Sequence, residues 1–123
     1  MAAGVADQAL VQVAYAIGVA QPVGVFVTTY GTIKAKNAAG QLMTDGEVAD
    51  KVNKLFDLRP YAIVQRFGLQ NPIFAQSAAY GHMGRQPGTI EVMMPNGEKK
   101  TFETFTWEKL DYVPRIKVEF GLN

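Results

Sequence analysis

Two short runs near the start of the chain, LVQVAYAI (residues 10–17) and VGVFVTTY (residues 23–30), are largely apolar at both alternate sets of positions. In the first, Val11, Val13, Tyr15 and Ile17 alternate with Leu10, Gln12, Ala14 and Ala16; the second is β-branched and aromatic up to Gly31. Both compositions predict strands. A sheet with one wetted face alternates apolar and polar residues, so strands like these need a covering layer above and below. The helices legible further along the chain can cover one side, and the second cover is expected from outside this chain. Val11, Val13, Val23, Val25 and Val27 lead us to expect an apolar sheet surface through which copies associate, because exposing it to water costs about 25 cal/mol per Å².

At 123 residues, 48% of them hydrophobic, residues 1–123 have the size of one domain with its own core. Residues 35–44, AKNAAGQLMT, read as a surface loop. Thr44 and Glu47 then have capping-box spacing, in which hydroxyl and carboxylate satisfy orphan N–H groups reciprocally. The helix that follows places Val48, Val52, Leu55 and Phe56 on one stripe and turns Lys51 and Lys54 towards water. Asp57 and Arg59-Pro60 end it. Pro60 suits the first turn of a second helix, where Tyr61, Val64 and Phe67 share a buried side before Gly68 stops it. Residues 89–94 and 99–105 flank PNGE, and Asn96-Gly97 between β-rich runs predicts a tight turn. Residues 86–106 therefore read as a projecting β-hairpin. The tail IKVEF, residues 116–120, alternates again and predicts a final strand. No repeat, low-complexity tract or linker is evident.

Twelve Lys and Arg against eleven Asp and Glu give a net charge of +1 with no basic block, so neither nucleic acid nor a membrane is an expected partner. No apolar run approaches the roughly 18 residues of a spanning helix, and MAAGVADQ lacks the basic-then-apolar order of a signal peptide. The absence of cysteine excludes disulfides and thiolate chemistry and fits a reducing cytoplasm.

His82 is the natural candidate for acid–base or metal chemistry, since an imidazole suits both. It has no second histidine and no paired-ligand spacing, with Asp57 and Glu91 the nearest carboxylates in sequence, which favours a hydrogen-bonded structural role. Gly81 and Gly84 read as turn residues around it, and neither phosphate-loop glycine pattern occurs. Ser77, in QSAAYG, is not on a nucleophile elbow and reads as a cap or turn. Arg59 and Arg85 could bind an anion or close salt bridges, the commoner fate. Lys99 and Lys100 read as solvated, and Trp107 as an apolar anchor at the hairpin base. No catalytic centre assembles from these residues.

Three segments taken together resemble the C-terminal domain of S-adenosylmethionine synthetase, also called methionine adenosyltransferase: VAYAIGVAQPVGVFVTTYGT (residues 13–32), LFDLRPYAIVQRFGLQNPIF (residues 55–74) and SAAYGHMGR (residues 77–85). TWEKLD then resembles that family's Trp-Glu-Lys ending, and the order holds over most of the chain. The loop at residues 35–44 and the segment 86–106 depart from the family pattern, the latter as an inserted hairpin. The resemblance implies an α+β fold, a small mainly antiparallel sheet with helices packed on one face, plus the projecting hairpin. It also implies a C-terminal piece of a much longer transferase, one that makes S-adenosylmethionine from ATP and methionine with magnesium and potassium.

The family holds its triphosphate, metal and methionine ligands in earlier domains, so the resemblance implies that this piece is inactive alone, with no catalytic residue, metal or cofactor of its own. Its implied partners are the remaining domains and a second subunit. In Tyr15-Ala16-Ile17-Gly18-Val19, Ile17 resembles the isoleucine that lies against adenine; an ordinary core isoleucine is the alternative. Asp57, Arg59, Tyr80, His82 and Arg85 resemble a polar structural cluster in the family's scaffold. A stand-alone α+β protein-interaction module is the other reading of the same chain.

Overall fold

The structure, a computed structural model, describes residues 1–122. In chain order its regular elements are β1 (Leu10–Ala14), β2 (Gly24–Thr28), α1 (Asp45–Leu55), α2 (Pro60–Phe67), β3 (Gly88–Met93), β4 (Lys99–Thr104) and α3 (Val113–Phe120). Three α-helices and two two-stranded antiparallel sheets among the described residues make an α+β fold. The chain gathers into two compact units, one of residues 1–60 with 110–122 and one of residues 61–109.

In the first unit β1 pairs with β2 so that Val11 lies opposite Val27 and Val13 opposite Val25. Alternate strand residues share a face, which puts these four valines on one side and Leu10, Gln12, Ala14 and Phe26 on the other. The valine side meets the chain's own core, where Val27, Ala35, Met43, Val48 and Phe120 are buried together with Ala3 and Val5. On the other side Leu10 is 42% and Phe26 57% exposed. This corrects the expected contact surface in part. Val25 and Val27 are already covered from within the chain, Val11 and Val23 stay 49% and 59% exposed, and Leu10 and Phe26 add an open apolar face on the other side.

The first turn of α1 is held in three directions. Glu47 N donates to Thr44 Oγ1 at 3.2 Å while Thr44 N donates to Glu47 Oε2 at 2.7 Å, the reciprocal box that the spacing predicts. The other oxygen of Glu47 accepts from Asn37 Nδ2 at 3.2 Å, and Asn37 Oδ1 accepts from the amides of Ala39 and Gln41. The loop at residues 35–44 is thereby folded on itself and fixed to the cap. Asp45 Oδ1 accepts from both Thr29 N, at 3.1 Å, and Thr29 Oγ1, at 2.6 Å, tying the helix start to the end of β2.

Residues 116–120 are not the expected strand. They lie in α3, which buries Phe120 and half-buries Val113 and Ile116, whereas Val118 is 83% exposed. The stripe i, i+3, i+7 outweighs the short alternation of IKVEF. Pro114 sits in the first turn, and Gly121 stops the helix at φ 63, its N–H bonded to Lys117 O and Val118 O. Lys51 is likewise not turned to water: Nζ donates to Glu119 O at 2.6 Å and Oε1 at 3.3 Å, joining α1 to α3, while Lys54 reaches the same carboxylate from a more exposed position.

α2 starts at Pro60, the residue before the second unit, and is closed by Gly68 at φ 61, where Leu69 N bonds Val64 O at 3.0 Å. β3 and β4 pair with Ile90 opposite Phe102. Their turn is closed by Gly97 N to Met94 O at 2.9 Å and Met94 N to Glu98 O at 2.8 Å, with Gly97 at φ 84. Thr104, Phe105 and Thr106 are buried, and Thr106 Oγ1 donates to Phe67 O at 2.7 Å.

The Thr29 hydroxyl, opposed by partial burial and assisted by the Thr29 amide, holds the Asp45 carboxyl below its ordinary value. A carboxyl depressed in the folded state contributes stability that is present above its unfolded value and lost as pH falls through the folded one. Thr29→Val should therefore lower the melting temperature at neutral pH, and its gap from the parent should close below about pH 4, where aspartate protonates in the unfolded chain. Melts across that range check this; a gap that widens in acid contradicts it.

Candidate functional site

After Ala14 the first strand gives way to a turn in which Val19 N bonds Ala16 O at 3.1 Å and Gly18 takes φ 81. The left-handed backbone at Gly18 favours a residue without Cβ, and nothing stands within 4 Å of where one would be built. Ile17, beside it, is fully exposed. Tyr15 braces the approach to this turn by donating its hydroxyl to Leu58 O at 2.6 Å. The result is an apolar side chain presented to solvent on a positioned turn. Beneath the valine face, Val5, Val11, Val48, Val52 and Phe120 help line a recess of about 200 Å³ whose wall is nearly all hydrocarbon.

The five polar candidates divide between the two units. In the first, Arg59 Nε lies 2.8 and 3.1 Å from the two oxygens of Asp57 and Nη2 lies 2.5 Å from Oδ2. The Arg59 side chain holds the Asp57 carboxyl low, and Asp57 in turn raises the guanidinium. This fork-to-fork geometry already neutralises the cation, leaving it poorly placed to capture a further anion.

In the second unit, His82 Nδ1 lies 2.9 Å from Glu108 Oε1, and its ring stands edge-on to Trp107 with centroids 5.8 Å apart. Sequence separation hid this carboxylate, which is 26 residues away. Arg85 stacks over Phe105 at 4.9 Å and its guanidinium points at Gln76 O and Ala79 O, at 3.5 and 3.4 Å. Trp107 stacks on Phe74 and meets Phe105 edge-on. Its Nε1 is buried without a hydrogen-bond partner. Ser77 Oγ donates to Phe74 O at 2.8 Å, a turn contact. Tyr80, at φ 63, is fully exposed.

No nucleophile–base pair emerges from these contacts. Among the described residues no group of three or more His, Cys, Asp or Glu side chains is placed to hold a metal ion. Among them too, no helix is long and apolar enough to cross a membrane.

Comparison with known proteins gives a consistent picture. The sequence model for the C-terminal domain of S-adenosylmethionine synthetase matches residues 1–93. An S-adenosylmethionine synthase of Flavobacterium johnsoniae is 55% identical over 126 residues, covering 99% of this chain and 29% of that protein. One from Cytophaga hutchinsonii is 53% identical with the same coverage. Among solved structures, an unusual S-adenosylmethionine synthetase from Campylobacter jejuni superposes with a TM-score of 0.71 at 32% identity, over 96% of this chain and 26% of that one. The chain thus spans about 29% of the length of the curated relatives it matches.

The contacts around Phe105 and Trp107 place the structural weight of the second unit at the base of the hairpin. Replacing residues 89–103 by a short linker should leave the unit folded, since β3 and β4 pair chiefly with each other. Phe105→Ala should cost about 3 kcal/mol or more, as truncation of a buried Phe does. Chemical denaturation of both variants checks this; loss of folding on excision, with Phe105→Ala neutral, would reverse the assignment.

Proposed function

The chain belongs to the S-adenosylmethionine synthetase C-terminal domain family, and we propose that it serves as the scaffold and assembly domain of a cytoplasmic methionine adenosyltransferase. In the proposed reaction the methionine sulfur attacks the ribose 5′ carbon of ATP, the bond to the triphosphate breaks, and the triphosphate is then hydrolysed to phosphate and diphosphate. Lys and Arg groups and magnesium and potassium bound elsewhere in the longer enzyme stabilise that leaving group. This part supplies no catalytic residue. It supplies Ile17 as an apolar contact for the adenine ring, and the polar residues Asp57, Arg59, Tyr80, His82 and Arg85 to the scaffold. A second subunit covers the open face of Leu10 and Phe26.

The observation that carries this reading is the fully exposed Ile17 on a braced turn, in a chain 55% identical to a synthase over nearly its whole length. The same identity supports an enzyme domain over a stand-alone interaction module.

By itself the chain should form no S-adenosylmethionine from ATP and methionine in the presence of magnesium and potassium; turnover by the purified chain would refute the division of labour. Grafted in place of the matching part of the Flavobacterium johnsoniae enzyme, it should give an active protein. In that chimera Ile17→Ala should raise KM for ATP about tenfold, the equivalent of about 1.4 kcal/mol of lost apolar contact, and leave KM for methionine within about twofold. An unchanged KM for ATP removes Ile17 from the site. Phe26→Lys should shift the isolated chain towards monomer in sedimentation; equal association of parent and variant contradicts assembly through that face.

A further inference from the structure

β4 reads Lys99-Lys100-Thr101-Phe102-Glu103-Thr104, basic at one end and acidic at the other. Among the described residues its strand partner is β3 alone, so one edge of β4 carries backbone groups with no strand beside them. The turn determines which groups these are. Met94 N bonds Glu98 O, and in an antiparallel ladder hydrogen-bonded pairs alternate with non-bonded ones. Counted along the register, Lys100, Phe102 and Thr104 turn their backbone groups to Val92, Ile90 and Gly88, leaving those of Lys99, Thr101 and Glu103 directed outward. All three outward residues are exposed, and their side chains share one face.

We propose that this edge is a contact between two copies of the chain, with β4 pairing antiparallel to β4 of the second copy about a twofold axis at Thr101. That register sets Lys99 opposite Glu103 at both ends and Thr101 opposite Thr101, using the outward-facing backbone groups of all three residues. A slip of two residues either way leaves at least one of these charges without an opposite partner. On the other face Lys100 falls opposite Phe102, where its alkyl stem can lie along the ring.

The edge of β3 lacks this self-complementarity. Its outward residues are Thr89, Glu91 and Met93, and the equivalent pairing would set Glu91 against Glu91. Glu103 already accepts from Lys109 Nζ at 2.8 Å on both oxygens, and a carboxylate has lone pairs for a second cation. The two hairpins would join into four strands, beyond the two that are marginal alone. This contact does not depend on the enzymatic reading and uses residues other than Leu10 and Phe26.

The test uses the whole chain carrying Phe26→Lys, so that association through the β1–β2 face does not contribute. Sedimentation equilibrium is compared for this parent, K99E, E103K and the K99E/E103K swap. Each single reversal places like charges opposite one another at both symmetric contacts and should weaken the dimer about tenfold or more. The swap restores opposite charges and should return the affinity to within about threefold of the parent. The chain has no cysteine, so Thr101→Cys, lying on the axis at a Cα separation of about 5.5 Å, should form a disulfide-linked dimer on mild oxidation, and Thr89→Cys should not. A parent that stays monomeric, a swap no tighter than the single reversals, or equal linkage at both cysteine positions would overturn the proposal.

Discussion

The bond between the Asp45 carboxylate and Thr29 is the constraint on which the first unit depends. It joins the end of β2 to the start of α1 through one oxygen that accepts both the amide and the hydroxyl of Thr29. Thr29 is buried, so its polar groups need partners inside the fold and Asp45 supplies them. With that end fixed, α1 lies against the valine face of the sheet, and Val48 reaches the core beside Val27. Glu47, in the same helical turn, fastens the preceding loop through Asn37. Further along, Lys51 grips α3 through Glu119. One short helix therefore organises sheet, loop and C-terminal helix. It does so by side chains whose local spacing is visible in the sequence and by a strand contact that is not.

The polar residues that first draw attention are largely occupied by one another. Arg59 is forked onto Asp57, His82 onto Glu108, and Arg85 lies on Phe105. The unoccupied groups are apolar: Ile17 on its turn, and Leu10 and Phe26 on the open strand face. Exposed apolar surface of this kind gains by burial against something else. A domain whose candidate polar side chains are engaged with one another and which presents apolar contacts outward is suited to scaffolding a site whose charged machinery is elsewhere. That physical argument and the identity to synthases point the same way.

Local signals were legible in the sequence. The Thr44–Glu47 box, Pro60 and Gly68 bounding α2, and the Asn96-Gly97 turn each act within a few residues, and the structure has all of them. Ile17 was legible only as the end of a strand over residues 10–17, whereas β1 stops at Ala14 and Ile17 lies in the turn before Gly18. What was hidden depends on contacts distant in sequence. Five alternating residues cannot distinguish a strand from two helical turns, and in α3 it was Pro114, Gly121 and the buried spacing of Val113, Ile116 and Phe120 that settled the period. Strand alternation identifies two faces without saying which is inward; the packing of α1 decides that for the valines. Lys51 and His82 looked solitary because Glu119 and Glu108 are 68 and 26 residues away.

Native-state amide exchange on the isolated chain tests the central claim most directly. The account predicts that the amides of Thr29 and Val48, bonded to Asp45 Oδ1 and Thr44 O, exchange slowly and with one common opening free energy, because the Asp45 contact makes strand end and helix start a single cooperative unit. Thr29→Val should lower the protection of the residue 29 and Val48 amides together. If Val48 keeps its full protection while the end of β2 exchanges freely, the sheet and α1 are held independently, and the organising role assigned to Asp45 is wrong.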